Sequence, residues 1–436
     1  MKLVYNVKDR PGFGKIIIFA FQQLLAILAA TIAVPSIVGN MSQSAALFGA
    51  GVGTIVYLLL TKFRSPVFLG SSFAFIGSML AAFGGAASVS IGHAGIIIGA
   101  IMAGLVYVII AIVVKIAGVN WINKLMPAVV IGPTVAIIGL SLAKNAVANV
   151  FNTSDTSIES FQMTPTVWAS FACALITLIT VILCSVYGKK MAKLIPFIIG
   201  IIAGYIAATI FTLCGITLID FSTFKGLQLF EVPDFTFISA IESFKLIDVN
   251  YIIALAVAYV PVAFVVFAEH IADHKNLSSI IETELLEDPG LHRTLLGDGL
   301  GSMAGAFFGG CPNTTYGESV GCVAITGNAS VMTILATAIM AIVISFFGPF
   351  VTFLASIPMC VMGGVCITLY GFIAVSGLKM LQKVDLNENR NLFVVAVILI
   401  CGIGNMSMTI GQVKLTAIAC ALILGIIVNV ILPKKN

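Results

Sequence analysis

The stretch Cys311-Pro-Asn-Thr-Thr-Tyr-Gly-Glu-Ser-Val-Gly-Cys-Val-Ala-Ile-Thr326 decides how the chain is read. It lies inside a long apolar region, yet it carries Pro312, Gly317, two threonines and the carboxylate of Glu318. A lipid-facing helix of about 20 apolar residues is not written this way. Broken backbone at membrane depth is tolerated only where protein buries it or where it lines a wet cavity. An acid in such a place marks a functional site.

Composition sets the frame around that stretch. The 436 residues are 60% hydrophobic and only 9% charged, with a mean hydropathy of +1.13. Soluble domains carry far more charge, about a quarter of their residues. Apolar runs of about 20 residues recur along almost the whole length, so the chain reads as an all-α polytopic membrane protein. Residues 1–436 form one membrane unit rather than a string of soluble domains. The formal charge of +4 gives no reason to expect a nucleic-acid partner. The nine cysteines are odd in number, lie mostly in apolar runs and contain no C-x-x-C, so they read as small hydrophobes. His93, His270, His274 and His292 make no zinc pattern, and no metal is expected. No nucleophile–base pair or ligand cluster points to an enzyme.

The spacing predicts about fourteen spans. In the first half they cover 16–34, 46–61, 66–83, 94–114, 127–143, 165–187 and 194–213. In the second half they cover 251–274, 295–310, the irregular segment quoted above, 329–347, 350–375, 392–411 and 413–432. The first run is followed by Pro35 and is long for a cleaved leader, so it is read as a retained span. Polar stretches separate the spans, among them 144–164 with Asp155 and Glu159, the long loop 215–250, and an amphipathic stretch 275–293. With the N-terminus inside, every Lys and Arg except Lys144, Lys225, Lys245 and Lys414 falls on the cytoplasmic side, as the positive-inside rule demands. Both termini are therefore expected in the cytoplasm.

Two stretches read alike. Gly51-Val-Gly-Thr54, Pro66 and Ser71-Ser-Phe-Ala74 are answered by Gly299-Leu-Gly-Ser302, Pro312 and Thr314-Thr-Tyr-Gly317. The offset is roughly half the chain, the mark of an internal repeat. With seven spans in each half the two copies must be oppositely oriented, and interrupted segments in matching positions point to a transporter site at the repeat interface. Ser71–Phe73 and Thr314–Tyr316 are expected to be short extended pieces meeting near the midplane. Each would be followed by a half-helix whose first N–H groups lack intrahelical acceptors.

Glu269 and Glu318 are the central candidates. Hydropathy alone also allows Glu269 to be an acid at a helix end reaching water; Glu318, flanked by apolar residues and broken backbone, has less room for that reading. Two acids sharing a low-dielectric cavity are what proton coupling requires. Asp273, one helical turn from Glu269, would share its proton or orient it, unless it is simply solvated beside His274 and Lys275. His270 is expected to face elsewhere. Asp298, between Gly297 and Gly299, is expected to cap or brace the start of the ninth span. Phe73 and Tyr316 would stack on a flat ring or pack in the core. Gln22 and Gln23 would brace the site or join helices.

Four strings then show a resemblance: Leu69-Gly-Ser-Ser-Phe-Ala-Phe-Ile76, Ala268-Glu-His-Ile-Ala-Asp273, Asp288-Pro-Gly-Leu-His-Arg293 and Pro312-Asn-Thr-Thr-Tyr-Gly-Glu318. They resemble the bacterial uracil:proton symporters of the nucleobase/ascorbate transporter family over nearly the whole chain. The resemblance implies about fourteen transmembrane segments as two inverted repeats of seven, approximately 16–213 and 251–432. It also implies interleaved core and gate domains and two short antiparallel strands at mid-membrane. It implies a secondary active transporter importing uracil with protons across the bacterial cytoplasmic (inner) membrane, powered by the proton gradient without a cofactor, and compatible with a homodimer. Uracil would be held by Glu269, Glu318, Tyr316 and the backbone N–H groups of Phe73 and Gly317. Proton coupling would fall to Glu269 and Asp273, with Gln23, Ser72 and Asp298 in support. A purine (xanthine or urate) permease of the same fold is the alternative. The sequence departs from the family pattern at Ser319, where the signature has Asn, at Gln22-Gln23, where members often have Gln-His, and at Asp273, where some uracil carriers have His.

Overall fold

A computed structural model describes residues 3–118, 127–153, 155, 157–158, 160–189, 191–382, 384–410 and 413–432. Lys2, Lys124, Glu159, Lys190, Lys383, Lys434, Lys435 and the end of the predicted 392–411 span lie outside these residues. Among the described residues, eight helices are long and apolar enough to cross a membrane. Phe73–Gly84, Val331–Ile344, Asn389–Ile403 and Ala417–Ile431 are shorter apolar helices. The glycine-rich Leu291–Gly309 helix and the short Gly317–Thr326 helix complete fourteen segments, seven in each half.

The two halves meet through their interrupted segments. Leu69–Ser71 and Asn313–Thr315 pair antiparallel, with Leu69 opposite Thr315, Gly70 opposite Thr314 and Ser71 opposite Asn313. Each strand leads into a helix, the Phe73–Phe75 turn with Ile76–Gly84 on one side and Gly317–Thr326 on the other. Because the strands are antiparallel, the two half-helices leave the crossing in opposite directions.

The paired glycines account for how closely the halves approach. A Cβ on Gly53 would sit 2.7 Å from the Gly301 carbonyl oxygen, and one on Gly301 would sit 2.8 Å from that of Gly53. The contact is reciprocal between equivalent residues, which is what a local two-fold axis produces. The other repeat glycines behave alike: Gly299 abuts the Gly104 carbonyl on Val89–Ala117 and Gly51 that of Ala338 on Val331–Ile344, the fourth segment of each half. Small residues let these backbones touch where lipid offers no hydrophobic drive for association.

The segments fall into two packed groups. Phe13–Val38, Gln43–Leu60, Ile76–Gly84, Val89–Ala117, Val249–Ile281, Leu291–Gly309, Gly317–Thr326 and Val331–Ile344 pack chiefly on one another. The helices within 128–213, together with Met359–Leu381, Asn389–Ile403 and Ala417–Ile431, make the second group.

Three boundaries differ from the sequence reading. The 251–274 span runs on as Val249–Ile281, absorbing the first part of the 275–293 polar stretch. No breaker occurs there until Glu282 takes a left-handed conformation with φ 54°. The 350–375 span is two helices, Gly348–Ala355 and Met359–Leu381. Pro358 lacks an N–H and disfavours helical backbone at the residue before it. Between the last two spans an antiparallel hairpin, Met408–Ile410 with Val413–Leu415, replaces expected helix. Gly404 and Asn405, the latter at φ 52°, end the preceding helix there.

Candidate functional site

Where the two strands cross, Ser72, Phe73, Ala74, Glu269, Thr314, Thr315, Tyr316, Gly317 and Glu318 surround a small cavity, closed by Val135, Ile138 and Ile373. Its volume is about 70 Å³, where one water needs roughly 10–15 Å³. That is room for a compact small molecule. The polar wall belongs entirely to the first packed group. The three aliphatic side chains come from the Ala128–Ser141 and Met359–Leu381 helices of the second. The site therefore lies between the groups.

The local sequence explains why the polar wall stays polar. Phe73 begins a 3-10 turn and Gly317 begins an α-helix, each one residue after a strand. The first N–H groups of a helix have no intrahelical acceptor, so two positive helix ends converge on one cavity. Glu318 stands in the first turn of its helix, where a carboxylate is favoured. Glu269 reaches the same space from the long Val249–Ile281 helix, and among the described residues no hydrogen-bond donor reaches its carboxylate. The arrangement thus presents carboxylate acceptors and backbone donors side by side, able to pair a ligand that carries both N–H and C=O groups.

The strands are held by side chains on both flanks. Thr54 Oγ1 accepts from Leu69 N at 2.9 Å and donates to Leu69 O at 3.2 Å. Ser319 Oγ accepts from Gln23 Nε2 at 2.6 Å and from Phe68 N at 3.1 Å. Gln23 thus joins the first helix to Ser319, which, in place of the family's Asn, takes two donors on one oxygen. The Gln22 Oε1 atom is buried without a partner. Asn313 Nδ2 donates to Gly49 O at 3.0 Å, wedging the second strand against the glycine seam. Ser72 N donates to Pro312 O at 2.9 Å. The Tyr316 ring lies on Gly70, and its hydroxyl donates to Ser71 O at 2.8 Å. Tyr316 borders the cavity, but its ring is committed to the first strand. The Phe73 ring meets Tyr370 edge-on, with centroids 6.1 Å apart.

Two expected residues stand behind the cavity. Asp273 does not border the cavity; it accepts from Thr315 Oγ1 at 2.9 Å, one of the residues that do. Asp298 does not cap the ninth span: it is the eighth residue of Leu291–Gly309, and its Oδ2 lies 2.7 Å from His270 Nδ1. His270 faces away from the cavity as expected, into this pair. Sequence reasoning missed the role of His270, and with it His274, whose Nε2 lies 2.7 Å from the Tyr57 hydroxyl. The available signal was spacing: His270 and His274 repeat the four-residue step of Glu269 and Asp273 on the neighbouring stripe of the same helix. Val135, Ile138 and Ile373 carry no sequence signal at all.

A family model described as "Permease family" (Xan_ur_permease) matches residues 14–411. The chain belongs to this permease family. Among curated relatives, the uracil permease of Bacillus caldolyticus is 40% identical over 100% of this chain and 96% of its own length. The uracil permease of Bacillus subtilis is 37% identical over 100% and 96%, and that of Escherichia coli K12 34% identical over 97% and 92%. Among solved structures, the transmembrane domain of a cyanobacterial bicarbonate transporter, BicA, superposes with a TM-score of 0.66 at 15% identity, covering 98% of this permease and 100% of that chain. The murine anion transporter Slc26a9 in its inward-facing state gives 0.68 at 11% identity, covering 97% and 69%. These two likenesses concern the fold. Together with the apolar helices, family membership makes this permease a multi-pass membrane protein.

Proposed function

We propose that this permease is a secondary active transporter that imports uracil with protons across the bacterial cytoplasmic membrane. The observation that carries the reading is the placement of Glu269 and Glu318 around one small cavity with the helix starts at Phe73 and Gly317. Uracil has two ring N–H donors and two carbonyl acceptors. The acids answer the first and the backbone N–H groups the second. A site that pairs such groups rejects analogues lacking them. The permease names of relatives spanning the whole chain support uracil over a purine.

Glu269 is the substrate anchor and the principal proton site, with Asp273 one turn away as its partner. The group of helices bearing the strands serves as the core, and the group supplying Val135, Ile138 and Ile373 serves as the gate. Both termini are cytoplasmic. The decisive experiment is binding of radiolabelled uracil to purified protein with xanthine and urate as competitors. Binding is expected to be displaced by unlabelled uracil and not by the purines; displacement by xanthine instead would assign a purine carrier. In cells, Glu269→Ala is expected to abolish uracil uptake while the protein still reaches the membrane, and a protonophore is expected to stop accumulation against a gradient. Normal uptake by that variant would remove Glu269 from the mechanism.

A further inference from the structure

Among the described residues, His270 and Asp298 are a buried pair of titratable groups that the transport chemistry leaves unused. Asp298 is 1% exposed and His270 fully buried. His270 follows Glu269 directly, about 100° round the helix, and so places its ring behind the substrate acid. Its Nε2 lies 3.0 Å from Thr294 Oγ1, whose hydroxyl stands 3.1 Å from the Leu291 carbonyl. A hydroxyl has one proton, so while Thr294 donates to Leu291 it accepts from Nε2, which then carries a hydrogen. On the other side Nδ1 stands 2.7 Å from Asp298 Oδ2. A lone pair facing a carboxylate at that distance would be repulsive, so one further proton sits between them. Whether it resides on the ring or on the acid, the pair is neutral overall while it holds that proton. Asp298 Oδ1 is buried with no partner, an acceptor left open in a dry interior where a proton on the acid is accommodated.

We propose that Asp298 and His270 form a second protonation site, electrostatically linked to Glu269, so that the pair and the substrate acid do not become negative together. The groups facing the pair are Glu269 and Asp273 on its own helix and His274, whose ring stacks on His270 with centroids 4.0 Å apart. Tyr107 approaches from Val89–Ala117 with centroids 6.4 Å apart, Tyr57 through His274 from Gln43–Leu60, and Glu318 across the cavity. Arg293, on the helix of Asp298, turns instead to the Leu60 carbonyl at 3.4 Å. No cation therefore faces the pair from these elements, and the charge it would acquire on losing its proton is felt by the acids. Occupancy of Glu269, by a proton or by a substrate N–H, makes release from the pair easier.

The test is a pH titration of the full-length protein labelled with nitrogen-15 histidine, with the His270 ring signals assigned by their loss in His270→Gln. The ring nitrogen signals are expected to titrate with a midpoint that saturating uracil moves by roughly one unit, a tenfold change in proton affinity. Asp298→Asn is expected to abolish that movement and Asp298→Glu to restore it, which a purely structural brace would not do. A His270 signal that does not titrate, or whose midpoint uracil leaves in place while it binds, overturns the proposal. The uracil arm rests on the transport reading. The same titration in Glu269→Gln does not: a shifted midpoint there supports the linkage even if uracil fails to bind, and an unshifted one refutes it.

Discussion

Ser319 shows how much a single oxygen can hold together at this site. It takes the Gln23 amide and the Phe68 backbone N–H, joining the first helix, the first strand and the second half-helix. Buried polar groups that lose their partner keep the cost of having left water. Interhelical hydrogen bonds in membranes are nevertheless modest, because the unfolded chain also finds partners there. A double-mutant cycle of Gln23→Ala and Ser319→Ala, read by thermal unfolding in detergent, is expected to give a coupling energy of about 0.6–2 kcal/mol. Additive effects of the two changes would separate Gln23 from the strand. At this scale the acids were legible in the sequence because Glu269 and Glu318 interrupt apolar runs, and Gln23 because an amide in a span needs a partner. Asp298 was visible but misplaced, since a polar residue between glycines reads as a cap when its partner, His270, lies on another helix. The aliphatic wall of Val135, Ile138 and Ile373 was illegible, because valine and isoleucine in a span say only that the span is apolar.

The elements owe their positions to breaks and to small residues. The strand pair was foreseeable, since proline, glycine and hydroxyl residues recur in matching places of the two halves. The division at Pro358 was missed because a proline in an apolar run fits both a kinked span and a helix start. The hairpin at Met408–Leu415 was missed because Gly411, Gln412 and Lys414 read as a break between two apolar spans rather than as a turn between strands. Glycines of similar appearance differ sharply in what surrounds them. Gly301 meets the backbone of Gly53, which cannot yield without moving a helix, whereas a Cβ at Gly321 meets nothing within 4 Å. Gly301→Ala is expected to destabilise the protein by about 1–3 kcal/mol through overpacking. Gly321→Ala is expected to be neutral or to stabilise by up to about 1 kcal/mol, as alanine does in a helix. Melting temperatures of the two variants check the contrast, and equal losses would contradict the seam.

For the whole molecule, the two sides of the cavity are unequal. Along the direction taken by Ile76–Gly84, a second crevice of about 500 Å³ opens between the two groups, bordered by Gly77, Ala81, Ser141, Asn145, Ala258 and Thr416 among others. Along the direction taken by Gly317–Thr326, Ile195 packs on Ala26 and on Cys322, which is 3% exposed. If the groups move against each other during transport, this thin apolar contact must part. In a protein whose other eight cysteines are replaced, Cys322 is expected to react slowly with a maleimide, and several-fold faster in Ile195→Ala. Labelling that is fast in both would show that Ile195 does not cover it.

The reciprocal touch of Gly53 and Gly301 carries a consequence of its own. The halves descend from one pattern yet adopt different shapes, one leaving a gap beside its half-helix and the other a seal. Were each half to take on the shape its twin now holds, gap and seal would trade places and the cavity would look out on the opposite face. The reverse posture is thus already drawn in the molecule, in the difference between its own two copies.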